Sequence, residues 1–225
     1  EILFEDEFLL AINKPPGLPS QPTVDKKRAD LFTLIKKQMK NEQIFLHHRL
    51  DRDTSGVILL SKNKRANAPL TEMFREHQFT KIYWALTKAN MDMPDKWEIQ
   101  NHIVARRKDG HSVKMFRTES GGDFAHTLFR KLASKEDACL VEAQPLTGRT
   151  HQIRVHLLHS DASILGDSQY GGKDSRVPRL MLHAQSLQFP HPVLKTQMKI
   201  EAPTPADFQT LINKWRLEAQ SAAIN

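Results

Sequence analysis

Short apolar runs separated by polar and turn-forming residues predict that the chain begins with β-strands. The runs at 2–4 and 8–12 flank an acidic triplet, a pattern typical of a small antiparallel pair. Residues 57–60 are β-branched or aliphatic throughout, which predicts a buried strand. The loop at 13–19 contains adjacent prolines and Gly17, which end regular structure. The fold is therefore expected to open with sheet.

Residues 80–87 alternate cleanly between polar and apolar positions. Ile82, Trp84 and Leu86 fall on one face of the predicted strand, and Tyr83 falls on the other. We therefore expect Tyr83 to face away from this apolar set. A tyrosine in that position is by default a surface residue with a satisfied hydroxyl group.

The middle of the chain predicts an antiparallel meander. From 97 to 132, short strand patterns are broken by turn signals at Asp109-Gly110 and at 121–123. Further strands are expected at 139–143, closed by Pro145, and at 180–189.

Four stretches have helical spacing. Asp30 is placed to cap a helix over 30–40. A second helix is expected to begin near Asn67, because Pro69 inside a helix would remove a hydrogen bond. A third is expected over 150–159. The last helix holds Phe208, Leu211, Ile212 and Trp215. This mixture of strands and helices indicates an α+β fold class.

The composition indicates a soluble protein that can bury its own core. Its 225 residues are 39% hydrophobic, and no window reaches the roughly 18 apolar residues of a membrane span. The first residues lack the pattern of an export signal. The single cysteine, Cys139, lies in an apolar run and has no partner for a disulfide. We therefore expect Cys139 in the core and the protein in a reducing, cytoplasmic setting.

The net charge of +7 fits a polyanionic partner, although many ordinary soluble domains carry a similar surplus. The basic residues are clustered, and such clusters can contact RNA phosphates. The clusters are Lys62, Lys64 and Arg65 after the 57–60 strand, and Arg106, Arg107, Lys108 and Lys114 in the middle of the chain.

A polar loop at 47–56 leads directly into the strand at 57–60. A loop attached to a rigid strand presents side chains at fixed positions, which makes Asp51 the first candidate for chemistry. The alternative is that Asp51 and Asp53 only cap a turn through backbone amides, which is a frequent role of aspartate in loops. Residue chemistry alone leaves both interpretations open.

A second cluster with chemical potential lies at 148–156. His151, His156 and His159 invite a metal-site interpretation, since the last pair is spaced at i, i+3. No carboxylate accompanies them in the segment, and its arginines disfavour a bound cation. The alternative is a basic helix exposed to solvent or to RNA phosphates.

Both clusters resemble motifs of the RluA-type pseudouridine synthase family. The first reads His48-Arg49-Leu50-Asp51, two further residues and then Thr54-Ser55-Gly56; the second differs from the family's usual run by Ile153 in place of leucine. Further landmarks keep their order, so the resemblance extends from about residue 13 to residue 208. They are Asn13-Lys14-Pro15-Pro16-Gly17, Lys81-Ile82-Tyr83-Trp84-Ala85, Leu165-Gly166-Asp167, Tyr170-Gly171-Gly172 and the run at 179–192.

The resemblance implies that the protein isomerises uridine to pseudouridine in RNA without a cofactor or a metal. Asp51 matches the catalytic aspartate, which acts as a nucleophile or initiates glycal formation. Arg154 matches the partner that keeps this carboxylate charged, and a guanidinium suits the role because it grips a carboxylate with two parallel donors. Tyr83 matches the residue that stacks on the uracil, although a phenol is a reluctant base for the proton on the sugar.

The resemblance also implies base flipping, because a stacked nucleotide is inaccessible. Arg49 matches the side chain that enters the RNA stack; its alternative is a salt bridge to Asp51 or Asp53. We expect Arg149 to contact phosphate. His48, Thr54, Ser55 and Gly56 are interpreted as loop architecture.

The fold expected from the resemblance is a mixed, largely antiparallel central sheet flanked by helices, with the active-site cleft across the sheet. We expect residues 1–225 to form a single catalytic domain, with no N-terminal RNA-binding domain visible in this sequence. The expected partner is structured RNA, an rRNA or tRNA stem-loop, bound by a monomer that uses no membrane. RNA choice is expected to reside in 91–122. Two other classes stay open: a non-catalytic RNA-binding module and a metal-dependent hydrolase.

Overall fold

The computed structural model describes residues 1–25, 27–40, 42–89, 92–108, 112–135, 138–171 and 174–217. The described chain forms two compact units. Unit 1 comprises Glu1–Lys81 and His183–Pro203, and unit 2 comprises Ile82–Leu182 with the residues from Thr204 onward. No helix in the described part of the chain is long and apolar enough to cross a membrane.

Strands and helices occur in both units. In chain order they are β1 Ile2–Glu5, β2 Leu9–Lys14, α1 Leu31–Met39, β3 Phe45–Leu46, β4 Ser55–Ser61, α2 Lys64–Arg75, β5 Thr80–Lys88, β6 Lys96–Lys108, β7 Ser112–Thr118, β8 Asp123–Lys135, β9 Ala138–Pro145, α3 Gln152–His159, β10 Leu182–Pro190, β11 Gln197–Glu201 and α4 Ala206–Lys214.

The sheet of unit 1 is mixed. β1 pairs antiparallel with β2 and β2 with β4, which confirms the predicted N-terminal pair. β10 lies parallel to β4 through the pairs His183↔Ser55 and Ala184↔Gly56. The sequence patterns missed two short strands, β3 on β4 and β11 on β10, both antiparallel. A mixed, largely antiparallel sheet with helices confirms the predicted α+β class.

The core of unit 1 is built around β4, whose residues are all buried. The helix predicted from Asp30 is confirmed, because the Asp30 carboxylate accepts the backbone N–H of Thr33 ahead of α1. The start predicted for α2 is wrong: the helix begins at Lys64 and contains Pro69. The side chain of Asn63 caps its first turn by accepting the N–H of Ala66 at 3.2 Å. This cap and a buried apolar face stabilise the helix despite the one backbone donor that proline lacks.

Unit 2 contains antiparallel strands in the order β5-β9-β8-β6-β7. β6 pairs antiparallel with both β7 and β8, and β8 pairs antiparallel with β9, so the predicted antiparallel strands are confirmed. The predicted meander order is wrong, because β8 lies beside β6 and not beside β7. The strands are longer than predicted. β6 alone pairs with β8 along Lys96–Ile103 and with β7 along His102–Lys108. Gly121 and Gly122, with φ of +70° and +80°, form the predicted interruption. The turn predicted at Asp109-Gly110 and the landmark residue Gly172 lie outside the described residues.

The third helix starts later than predicted, at Gln152 instead of Thr150. His151 before it has a φ of +56°, in the left-handed region. The Gln152 side chain accepts the hydroxyl of Thr147 at 2.7 Å and the N–H of Arg149 at 3.0 Å, so these residues form a turn before the helix. Residues 152–157 are all buried. The exposed basic helix considered from the sequence is therefore wrong.

The core of unit 2 lies between α3, β9 and α4. Ile153 and Leu157 of α3 pack with Leu140 of β9 and Phe208 of α4. Cys139 is fully buried there as a free cysteine, which confirms its predicted core position. The strand predicted at 180–189 begins two residues later, at Leu182.

Candidate active site

Asp51 lies on the turn that leads into β4, and its side chain is partly exposed. The backbone carbonyl of Asp51 accepts the N–H of Thr54 at 3.1 Å and closes the turn. The neighbouring Asp53 carboxylate is held by Arg52, with 2.9 Å from Nε to Oδ1 and 2.9 Å from Nη2 to Oδ2. The turn therefore places Asp51 at the end of a rigid, buried strand.

Two buried side chains hold this turn: Lys14 at the end of β2 and Ser20 in the loop that follows. The ammonium group of Lys14 is fully buried and donates to the carbonyls of Pro15, Leu18 and Arg52 at 2.9, 2.8 and 2.9 Å. The hydroxyl of Ser20 donates to the carbonyl of Leu50 at 2.8 Å and accepts its N–H at 3.1 Å. The backbone is thus fixed on both sides of Asp51. The sequence identified Lys14 only as part of a landmark, because its acceptors are backbone carbonyls that no side-chain pattern marks.

The residues interpreted as loop architecture have that role in the structure. The Nε2 of His48 accepts the backbone N–H of Leu59 at 2.8 Å, and its ring stacks on Phe74 at 4.8 Å. Burial, with smaller contributions from the nearby Lys81 and His47, lowers the pKa of His48 to about 3, so its imidazole is neutral at physiological pH. This neutral state allows Nε2 to act as an acceptor.

The second architectural contact fixes β4 against β10. Gly56 has a φ of +111°, and a β-carbon at this position would lie 2.1 Å from the carbonyl oxygen of Ala184. Only glycine fits this approach without a displacement of one strand. Ser55 adds a hydrogen bond of 3.0 Å between its hydroxyl and Nδ1 of His183.

Arg49 is exposed and makes no ion pair with any residue in the described ranges. The salt bridge considered for it from the sequence is therefore absent, because the guanidinium that binds Asp53 belongs to Arg52. A long cationic side chain beside Asp51 is thus presented to solvent.

In unit 2, Tyr83 lies on β5 opposite Ala143 of β9 and is half-buried. The alternation of β5 is as predicted, but both faces are covered, since Tyr83 and Trp84 both pack against the core of unit 2. The default position of such a tyrosine at the surface does not apply, because Tyr83 is half-buried and contacts the core of unit 2. A regular strand with packing on both faces restricts the position of the ring.

Arg154 lies on α3 and is only 8% exposed. Its Nε donates to Oδ2 of Asp167 at 2.7 Å and its Nη2 donates to Oδ1 at 2.8 Å. Nη2 also donates to Oε1 of Gln169 at 3.0 Å, and the guanidinium carbon lies 4.9 Å from the centre of the Tyr170 ring. Two parallel donors of Arg154 were expected to bind the Asp51 carboxylate. On the edge formed by Nε and Nη2, they bind Asp167 instead.

Asp167 and Tyr170 are themselves fixed. Asp167 is 1% exposed, and its Oδ1 accepts the backbone N–H groups of Gln169 at 3.0 Å and Tyr170 at 3.1 Å. The hydroxyl of Tyr170 accepts the N–H of Met115 at 2.9 Å and lies 2.8 Å from Nδ1 of His151. The sequence placed Asp167 and Tyr170 in family landmarks but gave neither a role.

The histidines of the second cluster have separate hydrogen-bond partners. Nδ1 of His156 lies 2.9 Å from the hydroxyl of Thr127, and its Nε2 lies 3.2 Å from Oδ1 of Asn101. Burial, followed by the neighbouring His159 and His126, lowers the pKa of His156 to about 4. No group of three potential metal ligands occurs in the described part of the chain. The convergence that a metal-dependent hydrolase requires is thus not seen among these residues.

The predicted phosphate contacts have different surroundings. Arg149 is exposed, with Nε donating to the carbonyl of Phe124 at 3.0 Å and Nη1 3.9 Å from Asp123. Lys62 lies 2.6 Å from the Glu5 carboxylate, so part of the first basic cluster is already paired. Lys64 is exposed.

The basic residues of β6 and β7 lie beside an aromatic ring. Arg106 and Lys114 are directly opposite each other, and each cation lies 5.6 Å from the centre of the Phe116 ring. Nothing is described for the side chains of Arg107 and Lys108. This part of the hairpin carries positive charge beside a partly exposed ring.

The sequence profile of the RNA pseudouridylate synthase family matches residues 8–159. The chain belongs to this family. The match includes the predicted site residues Asp51, Tyr83 and Arg154, whereas Asp167 and Tyr170 lie beyond its end. Members of this family are RNA isomerases.

Individual members of the family are similar over nearly the whole chain. The ribosomal large subunit pseudouridine synthase C of Vibrio cholerae is 33% identical over 222 residues, which cover 96% of this chain and 69% of that protein. The tRNA pseudouridine synthase C of the same organism is 30% identical over 235 residues, covering 96% and 95%. The structure of human RNA pseudouridylate synthase domain containing 4 superposes with a TM-score of 0.76 at 31% identity, covering 98% and 94%.

Proposed function

We propose that this protein isomerises uridine to pseudouridine in structured RNA, with Asp51 as the catalytic carboxylate. The observation that carries the proposal is the position of Asp51. It lies on a turn fixed by Lys14 and Ser20 and directly precedes the buried strand β4. Membership of the RNA pseudouridylate synthase family supports the reaction.

The reaction rearranges one nucleotide and needs no net reagent. The bond between N1 of the uracil and C1′ of the ribose breaks, the base turns, and C5 bonds to C1′ while the C5 proton is lost and N1 gains one. Asp51 attacks the flipped nucleotide or initiates glycal formation, and either role requires an ionised carboxylate. Because bound RNA removes water from the site and desolvation disfavours the charged form, a nearby cation has to offset this effect.

We assign that cation to Arg154. Its Nε and Nη2 are bound by Asp167 and Gln169, which hold the guanidinium in place. A guanidinium remains charged under all relevant conditions and keeps its planar geometry when bound on another edge.

We assign Tyr83 to the base. A half-buried ring on a regular strand can stack on uracil at little entropic cost, because few rotamers are lost. A tyrosine in this position can hold the uracil while it turns between the two bonds. A phenol is a poor base at neutral pH, so the role assigned to Tyr83 is stacking on the uracil and not proton removal from the sugar.

We assign base flipping to Arg49 and a phosphate contact to Arg149. Removal of a nucleotide from a stack costs a few kcal/mol, and a side chain that fills the vacated position reduces that cost. Arg49 is exposed beside Asp51, which supports the assignment. Arg149 is exposed at the start of the α3 turn and fits a phosphate at the edge of the site.

The substrates proposed here are rRNA or tRNA, since relatives named for each class match over at least 96% of this chain. We also propose a cytoplasmic monomer, and the free, buried Cys139 supports the reducing compartment. We further propose one catalytic domain with the cleft across its sheet. RNA choice is assigned to the β6 and β7 hairpin, where Arg106 and Lys114 flank Phe116.

The test is the release of tritium from RNA that contains uridine labelled at C5. The wild-type protein is expected to release tritium from total rRNA or tRNA of a strain that lacks its gene, and Asp51→Asn is expected to release none. Asp53→Asn is a matched control on the same turn, since its carboxylate is bound to Arg52 and has no assigned role in the reaction. It should keep the wild-type rate.

Two results would refute the proposal. Equal release by the wild type and Asp51→Asn would exclude Asp51 as the catalytic carboxylate. RNA binding in a filter assay without tritium release from any RNA fraction would favour the non-catalytic RNA-binding module.

A further inference from the structure

The guanidinium of Arg154 is held in a clamp formed by three residues that follow α3. Asp167 binds one edge through Nε and Nη2, Gln169 binds the second hydrogen of Nη2, and Tyr170 lies against the face. These contacts define both the plane of the guanidinium and its rotation within that plane. The direction of the two N–H bonds of Nη1 is therefore set by the clamp.

The clamp is rigid because its acidic member is bound to the backbone. Oδ1 of Asp167 accepts the N–H groups of Gln169 and Tyr170, and the residue is 1% exposed. A carboxylate held in this way has one available orientation, which it passes to the arginine. Tyr170 is tied in turn to β7 through the N–H of Met115.

An isolated arginine would be poorly suited to a fixed task. Its long side chain can adopt many rotamers, and a displacement of about 1 Å at a reacting group can reduce a rate by roughly 100-fold. The bidentate grip and the ring restrict this freedom before RNA binds. The buried negative charge of Asp167 also balances Arg154 when no substrate is present.

We propose that Asp167 is a positioning residue for the reaction and that it fixes the orientation of the Arg154 guanidinium. This inference rests on the proposed function, in which Arg154 is the partner of Asp51. Asp167 itself touches neither the substrate nor the reacting atoms. Gln169 and Tyr170 complete the clamp around the same guanidinium.

The test separates chemistry from RNA binding in single-turnover reactions. Asp167→Asn keeps the size of the side chain and an acceptor for the backbone N–H groups, but it removes the charge and places an amide N–H₂ against the arginine fork. We expect the single-turnover rate constant to fall by about 10- to 100-fold, while the dissociation constant for RNA changes by less than about threefold.

Asp207→Asn is a matched control. Asp207 forms an equivalent bidentate pair in the same unit, with 2.6 Å from Nε of Arg179 to Oδ2 and 2.8 Å from Nη2 to Oδ1. Neither Arg154 nor Asp167 belongs to that pair. The control should lower the melting temperature and keep the wild-type rate constant.

A second comparison tests whether Asp167 acts through Arg154. Lysine at position 154 cannot make the two-donor grip, so Asp167→Asn should cost much less in an Arg154→Lys background than in the wild type. Equal losses in the two backgrounds would overturn the proposal, because Asp167 would then act independently of Arg154. A folded Asp167→Asn variant with the wild-type rate constant would also overturn it.

Two further outcomes are informative. If Asp167→Asn does not fold, the exposed Gln169 provides the test: Gln169→Ala should reduce the rate constant by about threefold, and an unchanged rate constant would overturn the clamp. If the wild type releases no tritium, the proposed function fails. If the wild type is active, Asp51→Asn is inactive and Asp167→Asn is fully active, the positioning role of Asp167 is refuted and the proposed function is not.

Discussion

Replacement of Gly56 by alanine should destabilise unit 1 more than its single added methyl group implies. The new β-carbon would lie 2.1 Å from the carbonyl oxygen of Ala184 and 2.7 Å from its carbonyl carbon. Because carbon atoms pack at about 3.5–4.0 Å, β4 and β10 would have to separate by at least about 1 Å. The parallel pairs Ala184↔Gly56 and His183↔Ser55 would be disturbed directly.

The magnitude has two parts. A side chain at a φ of +111° costs about 1–3 kcal/mol in backbone strain. Loss of two interstrand hydrogen bonds adds about 2 kcal/mol. The total of about 4 kcal/mol corresponds to a decrease of about 8–16 °C in the melting temperature of a chain of this size.

The matched control is Gly121→Ala. Gly121 also has a positive φ, +70°, but no atom lies within 4 Å of the position its β-carbon would take. This variant includes the strain of about 2 kcal/mol without the steric overlap and should lower the melting temperature by about 4–8 °C. Thermal unfolding followed by circular dichroism measures both. If the two variants melt within about 2 °C of each other, the close approach of β4 and β10 has no energetic weight and the reasoning fails.

Two other predictions concern RNA affinity and pH. The double variant Arg106→Gln, Lys114→Gln should weaken RNA binding and reduce the slope of log affinity against log salt concentration by about 1.5. The control Lys199→Gln removes a lysine paired with Glu201 at 2.8 Å and should leave both unchanged. Filter binding at several salt concentrations measures the slope, and an unchanged slope in the double variant contradicts the prediction. Burial lowers the pKa of His156 from 6.5 to about 4. As the pH falls from 6.5 to about 4, His156 therefore takes up a proton in the unfolded chain but not in the folded chain. The free energy of unfolding should therefore decrease by about 3 kcal/mol between pH 7 and pH 4 through this residue. Urea titrations should show a smaller decrease for His156→Gln, and identical pH dependence in both proteins would refute this assignment.

Elements encoded by local signals could be predicted from the sequence. Asp30 caps α1 as its position indicated, and the aliphatic run at 57–60 forms the centre of β4. Capping and periodicity are properties of neighbouring residues, so they are visible without a fold. The start of α2 was predicted wrongly from the local rule that proline disfavours the helix interior. The helix forms around Pro69 because its apolar face is buried, and that burial depends on tertiary packing.

The candidate site divides in the same way. Runs of residues that match family motifs made Asp51, Tyr83 and Arg154 the candidates, but the contacts that hold Asp51 and Arg154 in place span long sequence separations. Lys14 reaches the carbonyl of Arg52, 38 residues away, and Arg154 binds Asp167, 13 residues away. The expectation of a bidentate carboxylate grip on Arg154 was chemically sound, but charge and geometry alone could not indicate which aspartate would occupy it.

The solitary thiol of this chain has a practical consequence. Cys139 is 0% exposed near the start of β9, so a maleimide should react with it only when the core of unit 2 unfolds. The native protein therefore offers an almost silent background for labelling, and a cysteine introduced at the exposed position of Arg49 would be its dominant reactive site. A fluorophore or photocrosslinker attached there would report on RNA docking without removal of any native cysteine.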